Sequence, residues 1–231
     1  MLFPSLTTSH IVFCVSLFAV LTSLLLSPAY AGTSFVEEFR SYQAEVRAAQ
    51  DSFSKKDYPS AIRHYSKALE LSPFEATFYL NRGISRYKTG NCKEAIEDFS
   101  NALVLDSRLV QSYGYRALCC ERMGDYLEAL KDYTTALTMN PNDASIHNDL
   151  AWLYATAKDE KIRDNAKALE HAKKAAELSR ENNAEILDTL ARAYFVNGRA
   201  KEAKEAEEKA LKLDPNNGEF KKNLSMYEKG N

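Results

Sequence analysis

Residues 110–143 read VQSYGYRALCCERMGDYLEALKDYTTALTMNPND, and three small residues within them set the frame of the chain: Ala117, then Ala129, then Ala136. Between the first two stands the turn Met123-Gly124-Asp125, and the stretch closes on Asn140-Pro141. This pattern describes two helices folded back on one another. The alanines mark a close crossing, where a longer side chain would wedge the helices apart, and the proline, lacking an amide hydrogen, ends the second helix. The same frame recurs outward, mostly in steps of 34 residues. The first anchors are Ala49, Gly83, Ala117, Ala151 and Ala191, the second Ala61, Ala95, Ala129, Ala168 and Ala203, and the third Ala68, Ala102, Ala136, Ala175 and Ala210. Turn formers recur between the first and second anchors at Lys56-Asp57, Thr89-Gly90-Asn91 and Asn197-Gly198-Arg199, and further breaks fall at Pro73 and Pro215. Tyr65, Phe99 and Tyr133 repeat inside the second helices and read as core residues. Gly83 and Ala95 are expected to face one another across the crossing of their unit.

The period, the anchor spacing and the Gly-Asp-Tyr and Asn-Pro punctuation together resemble the tetratricopeptide repeat family over residues 42–217. The resemblance implies an all-α fold, a right-handed superhelical solenoid of antiparallel helix pairs. Five repeats fit, at 42–75, 76–109, 110–143, 144–182 and 184–217. The fourth carries five extra residues within Thr156 to Asn165 and looks like a longer variant of the repeat. Residues 218–231 follow as a capping helix, with Phe220, Leu224 and Tyr227 on one face to cover the apolar end of the stack. The alternating lysines and glutamates of Lys201 to Lys212 read as the solvated face of a helix in the fifth repeat.

The N-terminus is a different material. Met1 to Ser34 holds no Lys, Arg, Asp or Glu, and the sixteen-residue run from Ile11 to Leu26 is followed by Pro28. A membrane-spanning helix needs about 20 apolar residues, so the run reads as a secretory signal, with small residues at Ala29 and Ala31 at the spacing a signal peptidase accepts. Residues 1–31 are therefore expected to be removed, leaving 32–41 as a lead-in to an exported, periplasmic or secreted protein. The alternative is an uncleaved anchor, the only route by which a membrane enters the picture.

Lysine plus arginine (30) nearly balance aspartate plus glutamate (32), so the positive field that nucleic acid attracts is absent and no nucleic-acid partner is expected. No nucleophile beside a base, phosphate-binding glycine loop or metal-ligand spacing is visible. The expectation is a non-catalytic protein without metal or cofactor; of His64, His147 and His171, His64 and His171 sit on second helices and are read as surface or packing residues. Cys92, Cys119 and Cys120 remain once the signal is gone. They read first as small apolar core residues, with a disulfide between Cys92 and Cys119 or Cys120 as the alternative. A thiol-dependent enzyme using Cys119 or Cys120 is the weaker functional reading.

In arrays of this family the first helices line a concave groove whose inward positions hold a protein or peptide partner. Transferred onto this sequence, those positions are Arg47, Gln50 and Phe53; Asn81, Ile84, Tyr87 and Lys88; Gln111, Tyr115 and Arg122; Asn148, Asp149 and Trp152; and Asp188, Arg192 and Phe195. Aromatics, amides and arginines suit an extended peptide. The family's clamp for the carboxy-terminal tail of cytosolic chaperones needs two lysines and an arginine that are missing here. Val46, Gln50, Gln111 and Tyr115 stand in four of its five slots and only Asn81 matches, so that function is rejected.

Overall fold

The computed structural model describes residues 28–229, with side chains from residue 35 onward. The described residues are helical throughout, joined by short turns, and the chain divides into two compact units meeting at Pro73 and Phe74. Among the described residues no helix is long and apolar enough to cross a membrane. The signal segment itself lies outside them, apart from its last residues, which begin the first helix.

The first unit is a helix pair, α1 (Pro28–Ser54) and α2 (Tyr58–Leu71). Residues 32–41, set apart above as a lead-in, are turns of α1. Ala49, Ala61, Tyr65 and Ala68 are buried between the two helices, and Phe53 packs edge-on against Tyr58 and Tyr65. Lys56 turns the chain with a left-handed φ of 60°, and Asp57 then caps α2 by accepting from the amide of Ser60 at 3.2 Å. On α1, Glu45 accepts from His64 at 2.6 Å and Lys67 at 3.2 Å, which hold its carboxyl below the ordinary value.

The second unit stacks four helix pairs and a cap: α3 (Ala76–Lys88) with α4 (Cys92–Leu105), α5 (Val110–Met123) with α6 (Tyr126–Met139), α7 (Ala144–Thr156) with α8 (Asn165–Leu178), and α9 (Ala184–Val196) with α10 (Ala200–Leu213). The cap is α11 (Gly218–Lys229). Every alanine of the repeat frame in this unit is fully buried. Removing those surfaces from water and packing them at crystal-like density is what holds the pairs together. Gly83 abuts Phe99, one turn beyond Ala95 on the second helix. A Cβ there would lie 2.6 Å from Phe99 Cε1, so the small residue makes room for a ring that its own repeat carries on the second helix. Gly114 does the same between repeats, where a Cβ would come within 2.8 Å of Ile146 Cδ1.

The turns between first and second helices are built alike. At Gly124 (φ 89°) the amide of Gly124 donates to the carbonyl of Glu121 at 3.0 Å and that of Asp125 to the carbonyl of Cys120 at 2.8 Å, the doubled closure that a left-handed residue permits. The longer turn of the fourth repeat is held by burying Ala157 and Ile162 and by the amide of Asp164 donating to the carbonyl of Tyr154 at 3.1 Å.

Buried ion pairs join the two helices of successive repeats. Arg82 grips Asp98 through Nη2 at 2.7 Å and Nε at 3.0 Å, with Arg86 on the same carboxylate at 2.8 Å. One repeat on, Arg116 grips Asp132 at 2.7 and 2.8 Å. In the fourth repeat the aspartate slot is taken by His171, whose Nδ1 lies 2.9 Å from that of His147. His147 Nε2 donates to the carbonyl of Pro141 at 3.1 Å, so in the neutral ring its Nδ1 accepts from His171. Both histidines are thus packing residues between α7 and α8.

Cys92, Cys119 and Cys120 are free and buried. The neighbour of Cys92 is Cys119; Cys120, one position and about 100° further round α5, faces Arg116 and Asp132 instead. Of the two disulfide partners left open for Cys92, Cys119 is the neighbouring residue, so the pairing with Cys120 is corrected.

Candidate binding groove

The first helices α3, α5 and α7 lie side by side because each pair stacks on the next in the same orientation. Their shared face encloses two adjoining cavities of about 590 and 350 Å³. Tyr87, Leu118 and Asp149 line both. The larger extends over Lys88, Gln111 and Tyr115 to Glu185 at the start of α9, and the smaller over Glu121, Arg122, Tyr126 and Trp152.

The wall is aromatic. Tyr87 and Tyr115 meet edge to face with centroids 5.6 Å apart, and Tyr115 stacks in turn on the buried Phe99 at 5.9 Å, which fixes its ring. Arg122 lies over the Tyr87 ring at 4.6 Å and donates from Nη2 to its hydroxyl at 3.2 Å. Trp152 remains 38% exposed and lines the smaller cavity beside Thr156 and Lys158, so it stands in the groove wall and is not packed beneath the enlarged turn.

The floor is acidic. Tyr133, wholly buried, donates to Glu121 Oε2 at 3.2 Å, and burial raises the Glu121 carboxyl above its ordinary value. Burial, followed by the charge of Glu121, pushes the Asp149 carboxyl up to about 7. Arginine and lysine sit at the exposed rim, while these two carboxyls lie deeper.

Of the positions expected to face a partner, Tyr87, Lys88, Gln111, Tyr115, Arg122, Asp149 and Trp152 line the cavities. Asn81 and Asn148 do not line these two cavities, and the Asn148 side chain hydrogen-bonds Asp149. Ile84 is buried in the core. Arg192 and Phe195 are corrected, because the capping helix occupies that face of the last repeat. Phe195 packs on Tyr227 with centroids 4.9 Å apart, and Arg192 is turned towards Asp188, Glu207 and Tyr227. In the first unit Arg47 and Gln50 are exposed on α1, while Phe53 belongs to the packing already described. Glu121 was not anticipated, although it follows Leu118 at helical spacing on α5 and shares its face.

Cys119 and Cys120 are poor nucleophiles. Burial raises both thiols, Cys120 to about 11, the reverse of what an activated thiolate requires.

Family models match residues 50–90 ("TPR repeat") and residues 110–143 and 184–217 ("Tetratricopeptide repeat"). The chain carries tetratricopeptide repeats. Solved tetratricopeptide-like structures agree at the level of fold. MamA is 21% identical, covering 76% of this chain and 92% of that one, with a TM-score of 0.62. TTC0263, a thermophilic tetratricopeptide protein of Thermus thermophilus, is 23% identical, covering 80% and 98%, at 0.62. A tetratricopeptide repeat protein of Parabacteroides merdae is 19% identical, covering 83% and 73%, at 0.68. Among curated proteins, human and rat serine/threonine-protein phosphatase 5 are 46% identical over 41 residues. That match takes in 18% of this chain and only 8% of the phosphatase. The solenoid of tetratricopeptide repeats is thus the shared element, a scaffold of the kind used in protein–protein interaction.

Proposed function

We propose that this protein is an exported, non-catalytic scaffold that binds an extended segment of a protein partner along α3, α5 and α7. The observation that carries the reading is the aromatic wall: Tyr87, Tyr115 and Trp152 come from three successive repeats and open onto adjoining cavities. Tyrosine and tryptophan offer broad contact at little conformational cost, and rings already fixed by their neighbours lose less on binding. Tyr115→Ala and Trp152→Ala are each expected to weaken partner binding by about 2 kcal/mol with helix content unchanged. Outer-face changes, Lys131→Ala and Lys174→Ala, should be silent. Isothermal titration with a partner crosslinked in the native compartment reads both. Loss confined to the outer-face variants would put the binding surface on the convex side.

Export rests on the charge-free apolar run ahead of Ala29-Tyr30-Ala31. The mature chain is expected to begin at Gly32, which intact-mass measurement of the native protein decides. A mass that retains Met1 to Leu26 would make it a membrane-tethered scaffold.

A further inference from the structure

We propose that the groove selects a basic side chain, placing one lysine or arginine of the partner segment against Glu121 and Asp149. The inference rests on the groove being the binding surface, and it adds the chemistry of the guest.

Glu121 and Asp149 both line the smaller cavity, Asp149 the larger as well, and among the described residues neither has an ion-pair partner. Of the other charges lining the cavities, Lys158 and Glu185 are exposed and make no ion pair among the described residues, Lys88 lies over the Tyr87 ring at 5.6 Å, and the rest are engaged. Asp143 caps α7 by accepting from the amides of Ser145 and Ile146 at 3.0 and 3.2 Å, and Arg122, the cation nearest Glu121, is drawn onto the Tyr87 ring. Two carboxyls on the wall of one cavity, partly out of water and with no cation paired to either, form a site whose cost a guest cation offsets. The surroundings suit a long basic residue. Leu118 and the faces of Tyr126 and Trp152 accept an aliphatic stem, and about 350 Å³ holds that side chain with water to spare. The aromatic rings around the carboxyls favour a cation by their own quadrupoles. An acidic or purely apolar residue at the same place would leave both carboxyls unpaired or face like charge.

The test begins with a random-sequence peptide library panned on the full mature chain at neutral pH. The strongest binder is then resynthesised with its basic residue replaced by norleucine, which keeps the stem and removes the charge. Enrichment of lysine or arginine at one position is expected, and norleucine should weaken binding to the native protein about tenfold or more. On the double variant Glu121→Gln, Asp149→Asn the same replacement should cost less than about threefold, the coupling a double-mutant cycle isolates. Neither amide is expected to disturb the fold, and far-ultraviolet dichroism checks this. Binders without a basic residue, or a norleucine penalty undiminished in the double variant, would overturn the proposal. Peptides lost on Tyr115→Ala and Trp152→Ala but indifferent to norleucine would leave the groove standing and remove only the basic subsite. Binders indifferent to those two changes, or no binders at all, would remove both.

Discussion

Asp98→Ala is expected to destabilise the second unit by about 3–5 kcal/mol, the cost of removing one partner from a buried ion pair. The side chain is 1% exposed and receives two guanidiniums, from Arg82 and Arg86, which are themselves largely covered. Without the carboxylate the two cations lose their common counter-charge, although Arg86 still donates to the carbonyl of Glu94 at 3.2 Å. Simple loss of an attraction would matter far less: the pair of Asp106 and Arg108, with the arginine 85% exposed, is screened by water and is expected to contribute little, so Asp106→Ala serves as the comparison. Asp132→Ala should fall between them, since only Arg116 is stranded. Urea unfolding at constant m-value measures the order. Replacing Arg82, Arg86 and Asp98 together by leucine should recover much of the loss, because a filled apolar contact needs no partner. If Asp98→Ala proves as mild as Asp106→Ala, the pair is not holding the helices together.

That ion pair shows where reading the sequence stops. The alanine frame is visible because a close helix crossing tolerates only small residues, and the requirement returns with each repeat. The clamps were equally periodic: Arg82 and Arg116 lie one repeat apart, as do Asp98 and Asp132, with the same spacing inside each pair. They passed unread because charges on helices are ordinarily solvated, and periodicity alone does not distinguish a charge turned inward. The groove was legible in part for a related reason. Tyr87, Tyr115 and Trp152 follow from counting repeat offsets, whereas the depth of Glu121 and Asp149 depends on three helices converging. Arg192 and Phe195 have the same offset as true groove residues. Their reassignment comes from the cap, which reaches the last repeat alone and packs Tyr227 against Phe195. Cys119 and Cys120 differ by one position, yet a single step around a helix decides which of them meets Cys92.

The acid in the groove makes a prediction about stability as well as binding. The Asp149 carboxyl is raised from 3.8 to about 7, chiefly by burial and then by the charge of Glu121. A carboxyl raised in the folded state favours folding only while it carries its proton. The contribution is whole below the unfolded value near 3.8, declines as pH rises, and is fully lost once pH passes the folded value near 7. Asp149→Asn removes the titration but keeps the shape. It should therefore stabilise the protein increasingly with pH, by about 2 kcal/mol near pH 5 and about 4 kcal/mol near pH 8, since each pH unit between the unfolded and folded values is worth about 1.4 kcal/mol. Denaturant midpoints of native and variant protein across that range give the curve. Glu207 supplies a control: buried beneath the cap beside Asp188, it is raised to about 8, so Glu207→Gln should show the same trend. The two variants separate on binding. Glu207 is outside the groove, and its replacement should leave affinity for a lysine-bearing peptide unchanged, while Asp149→Asn gains stability and loses that affinity. Such an opposition is expected where a site holds a charge for a ligand at the expense of the fold. A flat difference between native protein and Asp149→Asn from pH 5 to pH 8 would mean that the carboxyl is solvated and the groove floor open to water.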